Sequence, residues 1–147
     1  MASGIYNAGI LGIVNRSIDF VGDDIRVALI KTGAGFVFDK THATLAAALG
    51  SAECDATGYV PKVASGKSIA QNDAVTPVTF RLGDITWTGL GGALNNTLDG
   101  VLVYLHTGNP ATAVPLFWGD SNNLGSNGSD VVAEFDAYEG IAHLTNA

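Results

Sequence analysis

Charged side chains are scarce in this sequence. Seven lysines and arginines and fourteen aspartates and glutamates make up 14% of the 147 residues, well below the roughly 25% usual for soluble domains. The net charge is −7 and the basic residues are dispersed. This argues against binding to nucleic acid or to an anionic membrane, because both depend on clustered cations. So little surface charge indicates that part of the surface is covered when the protein functions.

Cysteine and long apolar runs are also lacking. The single cysteine, Cys54, excludes an intrachain disulfide, and we expect it to be a buried or half-buried residue rather than a nucleophile. The longest apolar stretch near the start, residues 8–14, is too short to span a bilayer, and no Lys or Arg precedes it as in a secretory signal. We therefore expect the protein to stay where it is made until it is assembled.

Glycine, in contrast, is plentiful. Nineteen glycines and only four prolines are scattered along a chain that is 47% hydrophobic, a composition typical of a folded protein with many tight turns. A chain of this length buries roughly 70% of its unfolded surface on folding. Because no repeat or linker divides it, we predict a single domain, residues 1–147.

Two short helices are predicted. In residues 3–20, Ile5, Tyr6, Gly9, Ile10, Ile13 and Val14 recur at roughly helical spacing, and Ser3 is a candidate N-cap. The glycines at positions 4, 9 and 12 each weaken such a helix by roughly 1 kcal/mol relative to alanine. A second helix near residues 41–49 is rich in alanine and stops at Gly50. We expect it to belong to a connection rather than to the core.

The rest of the pattern indicates strands. Residues 24–32 alternate with a period of two, and the apolar phase shifts by one at Gly83-Asp84, which predicts a bulge or tight turn there. Residues 101–105 are apolar on both faces, as in a central strand, with residues 114–118 as their neighbour. Residues 119–130 read as a polar loop, and further strands are expected at 131–138 and 141–144. The predicted fold class is mainly β, an antiparallel β-sandwich or jelly-roll-like domain.

Each signature of catalysis or metal binding fails at a named position. Gly66-Lys67-Ser68 matches the end of a phosphate-binding loop, but Pro61 stands where the first glycine should be. No histidine has the context of a catalytic base, and Asp39 with His42 is the only short-range pair that suits a metal. We predict no enzyme activity and no catalytic, metal or cofactor site.

An ordered series of segments carries a family resemblance over nearly the whole chain. Although each motif is weak alone, together they resemble a family of small virion proteins of tailed bacteriophages, thought to be capsid decoration or cement proteins. The segments, in order, are Ile5-Tyr6-Asn7, Ser17-Ile18-Asp19-Phe20, Asp23-Asp24-Ile25-Arg26-Val27-Ala28-Leu29-Ile30, Phe38-Asp39-Lys40-Thr41-His42, Ala56-Thr57-Gly58-Tyr59, Asp84-Ile85-Thr86-Trp87, Val101-Leu102-Val103-Tyr104, Thr107-Gly108-Asn109 and Pro115-Leu116-Phe117. The chain departs from the family pattern at residues 44–52 and 121–130.

The resemblance implies a β-rich protein that binds the outside of a phage head and stabilises junctions between capsid subunits. Its implied partners are the major capsid protein and further copies of itself, with a trimer favoured, and neither nucleic acid nor a membrane. Its implied location is the capsid surface of the virion, after synthesis in the host cytoplasm.

The candidate contact residues lie in two segments. Ile5 and Tyr6 belong to the N-terminal segment, while Phe36 and Phe38 lie in the glycine-rich loop of residues 33–38. The two phenylalanines are equally compatible with anchoring a partner and with covering the core. The alternative function is a carbohydrate-binding or host-adhesion β-sandwich module on a virion, with Trp87 and Trp118 as a possible sugar platform. A small hydrolase is a third, weaker hypothesis.

Overall fold

The structure is a computed structural model that describes residues 3–72, 76–135 and 142–146. Two helices occur in these residues, α1 (Asn7–Val14) and α2 (Leu45–Leu49). The strands are β1 (Gly4–Ile5), β2 (Ile25–Lys31), β3 (Lys62–Val63), β4 (Ser68–Asn72), β5 (Thr76–Arg81), β6 (Ile85–Trp87), β7 (Thr97–Leu105), β8 (Val114–Gly125), β9 (Val131–Phe135) and β10 (Ala142–Asn146). The predicted mainly β fold with two short helices is confirmed.

The strands form two sheets and a separate hairpin. The larger sheet has five strands in the order β1-β8-β7-β2-β3, the smaller has three in the order β10-β9-β6, and β4 pairs with β5 alone. Every pairing is antiparallel. The antiparallel sandwich expected from the sequence is therefore present, with the hairpin outside both sheets.

The five-stranded sheet is buried on both faces. On β2, Val27 and Leu29 point to one face, Ala28 and Ile30 point to the other, and all four are fully buried. The first face packs against the smaller sheet in a cluster that includes Ile85, Trp87, Val131, Ala133 and Leu144. The second face packs in a separate cluster against α2 and the segment of residues 34–38. The central position predicted for residues 101–105 is confirmed, because β7 lies between β2 and β8.

The N-terminal segment starts as a strand and then becomes a helix. Gly4 and Ile5 pair with Trp118 and Phe117 on β8, and α1 follows with Tyr6 at its N-cap and no side-chain cap. The Ser3 hydroxyl accepts a hydrogen bond from the Asp120 N–H (3.0 Å). The prediction that Ser3 caps the helix is therefore wrong, because Ser3 is used at the sheet edge instead.

The glycines of α1 allow close packing on β8. A Cβ at Gly9 would lie 2.6 Å from the Pro115 carbonyl oxygen and 2.7 Å from the Leu116 Cα. A Cβ at Gly12 would meet the end of the Ile18 side chain. Gly9 and Gly12 are both buried. Gly9 allows the helix to lie close to the sheet, and Gly12 leaves room for the Ile18 side chain, each at some cost in helix propensity.

Helix α2 forms as predicted but is not confined to a connection. The Thr44 hydroxyl accepts a hydrogen bond from the Ala47 N–H (3.2 Å) at its start, and Gly50 follows its end with a φ of 53°. Leu45, Ala48 and Leu49 are buried in the second-face cluster. The expectation that this helix lies outside the core is wrong, because its apolar side covers one face of the main sheet.

Strand β8 extends well beyond its predicted end. Residues 119–125, expected to begin a polar loop, continue the strand, and Leu124 and Gly125 pair with Leu98 and Thr97. The register shifts between Leu98 and Gly100, and Asn123 has a φ of 46°, as at a bulge. The glycines and asparagines that read as loop residues thus accommodate a bulge within a long strand.

The phase shift at Gly83-Asp84 marks a change of sheet. The strand β5 before it belongs to the hairpin, whereas β6 after it pairs with β9 in the smaller sheet. The predicted strand at 131–138 is described only to Phe135. Residues 136–141 lie outside the described residues.

Replacing Gly9 by alanine tests the close packing of α1. The added methyl group meets β8 backbone, which cannot move aside cheaply, so Gly9→Ala is expected to lower the free energy of unfolding by roughly 1–3 kcal/mol. This loss should occur although alanine has the higher helix propensity by about 1 kcal/mol. Urea denaturation measures it. Leu11→Ala, at an exposed position of the same helix, should stay within about 0.5 kcal/mol of wild type, and equal stability of all three proteins would contradict the packing argument.

Candidate protein-contact surfaces

Tyr6 lies in the core rather than on the surface. Its side chain is fully buried, and its ring meets the edge of Phe38 with centroids 4.9 Å apart. Burial, together with the nearby Asp39 carboxylate, raises the pKa of the Tyr6 phenol. Tyr6 was predicted as a contact residue, but in this fold its side chain is not available to a partner.

Residues 33–38, which we call the strap, cross the second face of the main sheet. Ala34, Phe36 and Phe38 pack against the cluster beneath, and the Phe36 ring lies 4.5 Å from that of Trp118, whereas Val37 points outward with 67% exposure. Residues 33–37 make no backbone–backbone hydrogen bond with another described residue. The strap is therefore held by its inward side chains, and Phe36 and Phe38 cover the core.

Ile5 lies on the other face of the same sheet. Gly4 approaches the Phe38 ring, and because successive strand residues point to opposite faces, Ile5 points away from the strap. It is 49% exposed and pairs with Phe117 of β8. The four predicted contact residues therefore do not form one surface.

Three phenylalanines from distant segments meet on the face that Ile5 shares. The Phe80 ring lies 5.2 Å from Phe20 and 5.1 Å from Phe117, and the Phe20 and Phe117 rings are 6.0 Å apart. Phe20 is buried, while Phe80 and Phe117 are half-buried. This cluster ties the β4–β5 hairpin to the main body.

A groove of about 370 Å³ opens beside this aromatic cluster. It is lined by Ile13, Arg16, Ile18, Asp19, Phe20 and Ile69, and we call it the groove. Its lining joins α1, the turn after it and the hairpin strand β4. Within this lining, Ile69 is an exposed apolar side chain. Large apolar groups that remain open to water in this way are typical of a protein-contact surface.

Arg16 brings a positive charge to the groove from an unusual backbone conformation. Its φ is 65°, in the left-handed region where helices normally place glycine after their last turn. Its N–H donates to the Ile13 carbonyl (3.2 Å), and the Ile18 N–H donates to the Gly12 carbonyl (2.9 Å). These bonds close the end of α1 and leave the exposed Arg16 side chain at the groove.

The phosphate-loop match and the Asp39–His42 pair both lie in the described part of the chain. Gly66-Lys67-Ser68 leads into strand β4 rather than a helix, and Lys67 Nζ donates to the Asp23 carbonyl, so the geometry of a phosphate-binding loop is absent. Asp39 and His42 are 3.9 Å apart between carboxylate oxygen and Nε2. No group of three or more His, Cys, Asp or Glu residues is placed to hold a metal ion among the described residues.

The two tryptophans cannot form an exposed sugar platform in this fold. Trp87 and Trp118 are each only 1% exposed, and the Trp87 indole N–H donates to the Val60 carbonyl (2.8 Å). Cys54 is also buried, and burial raises the pKa of its thiol, as for a structural rather than a reactive cysteine. Neither helix of the described residues is long and apolar enough to cross a membrane.

No known protein family, no curated protein and no solved structure matches this chain.

The fold shifts the pKa values of two aspartates in opposite directions. Asp99 lies at the bulge of β7, where burial and the neighbouring Asp120 carboxylate raise its pKa. The Asp55 carboxylate accepts a hydrogen bond from Lys31 Nζ (2.8 Å), and the Asp55 N–H donates to Asn96 Oδ1 (2.9 Å). The side chains of Lys31 and Asn96 lower the pKa of Asp55. Folding thus disfavours ionised Asp99 and favours ionised Asp55.

Asparagine substitutions test these shifts. Because the folded-state pKa of Asp99 is raised, its contribution to stability falls as the pH rises through that pKa, so Asp99→Asn should raise the melting temperature at neutral pH. Because the pKa of Asp55 is lowered, its contribution is present at neutral pH and lost on acidification, so Asp55→Asn should lower the melting temperature there. Both differences should vanish below the folded-state pKa of Asp55. Calorimetry across this range checks the signs, and shifts in the same direction would contradict them.

Truncating Phe36 tests whether it covers the core. Phe36→Ala removes a half-buried ring from Trp118 and should lower the free energy of unfolding by roughly 1–3 kcal/mol, less than for a fully buried phenylalanine. Val37→Ala, one residue away and facing water, should change it by less than about 0.5 kcal/mol. Chemical denaturation compares the two. A stable Phe36→Ala variant would return this residue to the list of partner contacts.

Proposed function

We propose that the protein is a virion structural protein, a capsid cement or decoration protein that binds the outer surface of a phage head. The observation that carries the proposal is an open groove lined mainly by apolar residues, with exposed Ile69 in its lining, on a chain with few charges. The ordered family resemblance supplies the biological setting. The proposed partners are the major capsid protein and further copies of this chain, with a trimer favoured.

The mechanism is thermodynamic and includes no catalytic step. A protein that binds the assembled shell, but not the separated subunits, stabilises the shell by its binding free energy. Burial of apolar side chains supplies that free energy at roughly 25 cal/mol per Å² of area removed from water. Many copies bound across subunit junctions would each add such a contribution.

The fold suits this role because it presents a preformed surface. The main sheet is packed on both faces, so little ordering is needed when a partner binds, and preorganisation of this kind favours affinity. The outermost strands of that sheet, β1 and β3, are only two residues long, and short edge strands limit uncontrolled strand pairing between copies. Contacts between proteins would then be made by side chains.

The alternative, a carbohydrate-binding or adhesion module, has less support. Its motivating residues, Trp87 and Trp118, are buried, whereas sugar recognition uses exposed aromatic faces. A glycan array separates the two functions, since a cement protein should show no selectivity among saccharides.

Reconstitution on phage particles tests the cement function. Particles assembled without the protein should lose integrity at a lower temperature than complete particles, and purified protein should restore the difference. Ile69→Asp places a charge in the groove and should weaken particle binding by about tenfold or more. Light scattering during heating measures integrity, and co-sedimentation measures binding.

The matched control is Val63→Asp. Val63 is also an exposed apolar strand residue, but it lies on β3 at the opposite edge of the main sheet from β1. The Val63→Asp variant should bind particles as wild type does. Thermal melts followed by circular dichroism show whether both variants are folded. Undiminished particle stability without the protein would overturn the cement role, and equal losses for both variants would overturn the assignment of the groove.

A further inference from the structure

We infer, on the basis of the proposed function, that the groove receives an apolar segment of the capsid partner that carries a carboxylate, and that Arg16 pairs with this carboxylate. The partner is thus defined by two features in a short stretch of chain. Apolar side chains would occupy the space between α1 and β4, and an aspartate, a glutamate or a terminal carboxylate would lie beside them.

The apolar half of this partner follows from the lining. Ile13, Ile18, Phe20 and Ile69 surround a volume of about 370 Å³, which lies in the range of pockets that hold small apolar ligands or a few side chains. Ile18 and Phe20 belong to the main core cluster, so this wall is fixed. Ile69 is 46% exposed, and a partner that covers it removes apolar surface from water.

The acidic half follows from Arg16. Its guanidinium makes no ion pair or hydrogen bond with another described residue, unlike Arg26, which is paired with Asp24 (2.9 Å), and Lys31, which is paired with Asp55 (2.8 Å). A guanidinium that has no partner in the described part of the chain, beside an apolar wall, can pair with a carboxylate, because its planar donors match the two oxygens.

Asp19 does not fill this role, although it lines the same groove. Its carboxylate accepts a hydrogen bond from the Val21 N–H (3.1 Å), and its own N–H donates to the Asp23 carboxylate (2.9 Å). Asp19 therefore closes the turn that follows α1. Asp19 is thus held in the turn by hydrogen bonds, whereas the Arg16 guanidinium has no partner among the described residues.

The backbone conformation of Arg16 is consistent with a functional role for its side chain at the groove. A left-handed residue at a helix end is ordinarily glycine, which adopts that conformation without strain. Arginine there is unfavourable for the isolated fold, and strained positions of this kind are often functional. The position directs the guanidinium to the mouth of an apolar groove, where glycine would place no group.

Two blocked, fluorescein-labelled peptides probe this preference. One contains leucine, phenylalanine, glycine and serine followed by aspartates, and the other has lysines in place of the aspartates. Fluorescence anisotropy at an ionic strength of about 0.15 M, where the net charge of −7 is largely screened beyond about 8 Å, gives both dissociation constants. Wild type should bind the aspartate peptide at least roughly threefold more tightly than the lysine peptide.

Variants of the groove supply the decisive comparisons. Arg16→Glu should reverse the preference, while Arg16→Gly, which also relieves the left-handed strain, should abolish it without loss of folding. Ile69→Asp should weaken binding of the aspartate peptide, because it removes apolar contact and adds a like charge, and Val63→Asp should leave the binding of both peptides unchanged. Equal affinities for the two peptides, no saturable binding of either, or an Arg16→Glu variant with the wild-type preference would each overturn the inference.

Sedimentation velocity examines a second copy of this chain as the occupant. If wild type self-associates, Ile69→Asp is monomeric and neither peptide competes, the groove binds another copy and the inference is wrong. Failure of the proposed cement function would give a different result: the protein would still prefer the aspartate peptide over the lysine peptide but would not bind particles. Conversely, particle binding that needs Ile69 but tolerates Arg16→Glu would retain the function and reject the acidic segment.

Discussion

The structure depends on a sheet whose two central strands are apolar on both faces. Val27 and Leu29 of β2 need one covering layer, and Ala28 and Ile30 need another. The smaller sheet supplies the first layer through residues such as Trp87. Helix α2, Tyr6 and the strap supply the second, which explains why a helix and a loop without regular structure are firmly packed. The connections of this chain are shaped by the faces they must cover.

Several strands could be predicted from the sequence, but β1 and β4 could not. The alternation in β2 and the doubly apolar run in β7 are local patterns, and the glycine stop of α2 is local as well. The extension of β8 through residues 119–125 could not be predicted, because its glycines and asparagines resemble a loop. The strand continues there only because it pairs with β7, whose partner residues lie 18 to 28 positions earlier in the chain. The cap at Ser3 was wrong for a similar reason, since Asp120 competes for its hydroxyl.

The candidate site was harder to predict than the fold. Of the four residues chosen from sequence, Ile5 is exposed near the aromatic cluster, Tyr6 is buried, and Phe36 and Phe38 cover the second face. Phe20, Phe80 and Phe117 have no common local pattern, and only the folded chain brings them together. One sequence feature could have pointed to Arg16, because it is a charged residue directly after an apolar, glycine-containing helix. A groove is a tertiary feature, and composition indicates only that some surface must be covered.

The pairing of β1 with β8 has a consequence for the order of events during synthesis. Gly4 is paired with Trp118, and Gly9 packs on the backbone at Leu116, so residues 4–9 are synthesised long before the strand on which they dock. Until β8 has emerged, the N-terminal segment has no docking partner, and its apolar residues are exposed to other molecules in the cell. Such distant pairing slows folding relative to local contacts. The time between translation and closure of this edge is therefore the period in which newly made chains are most prone to associate wrongly.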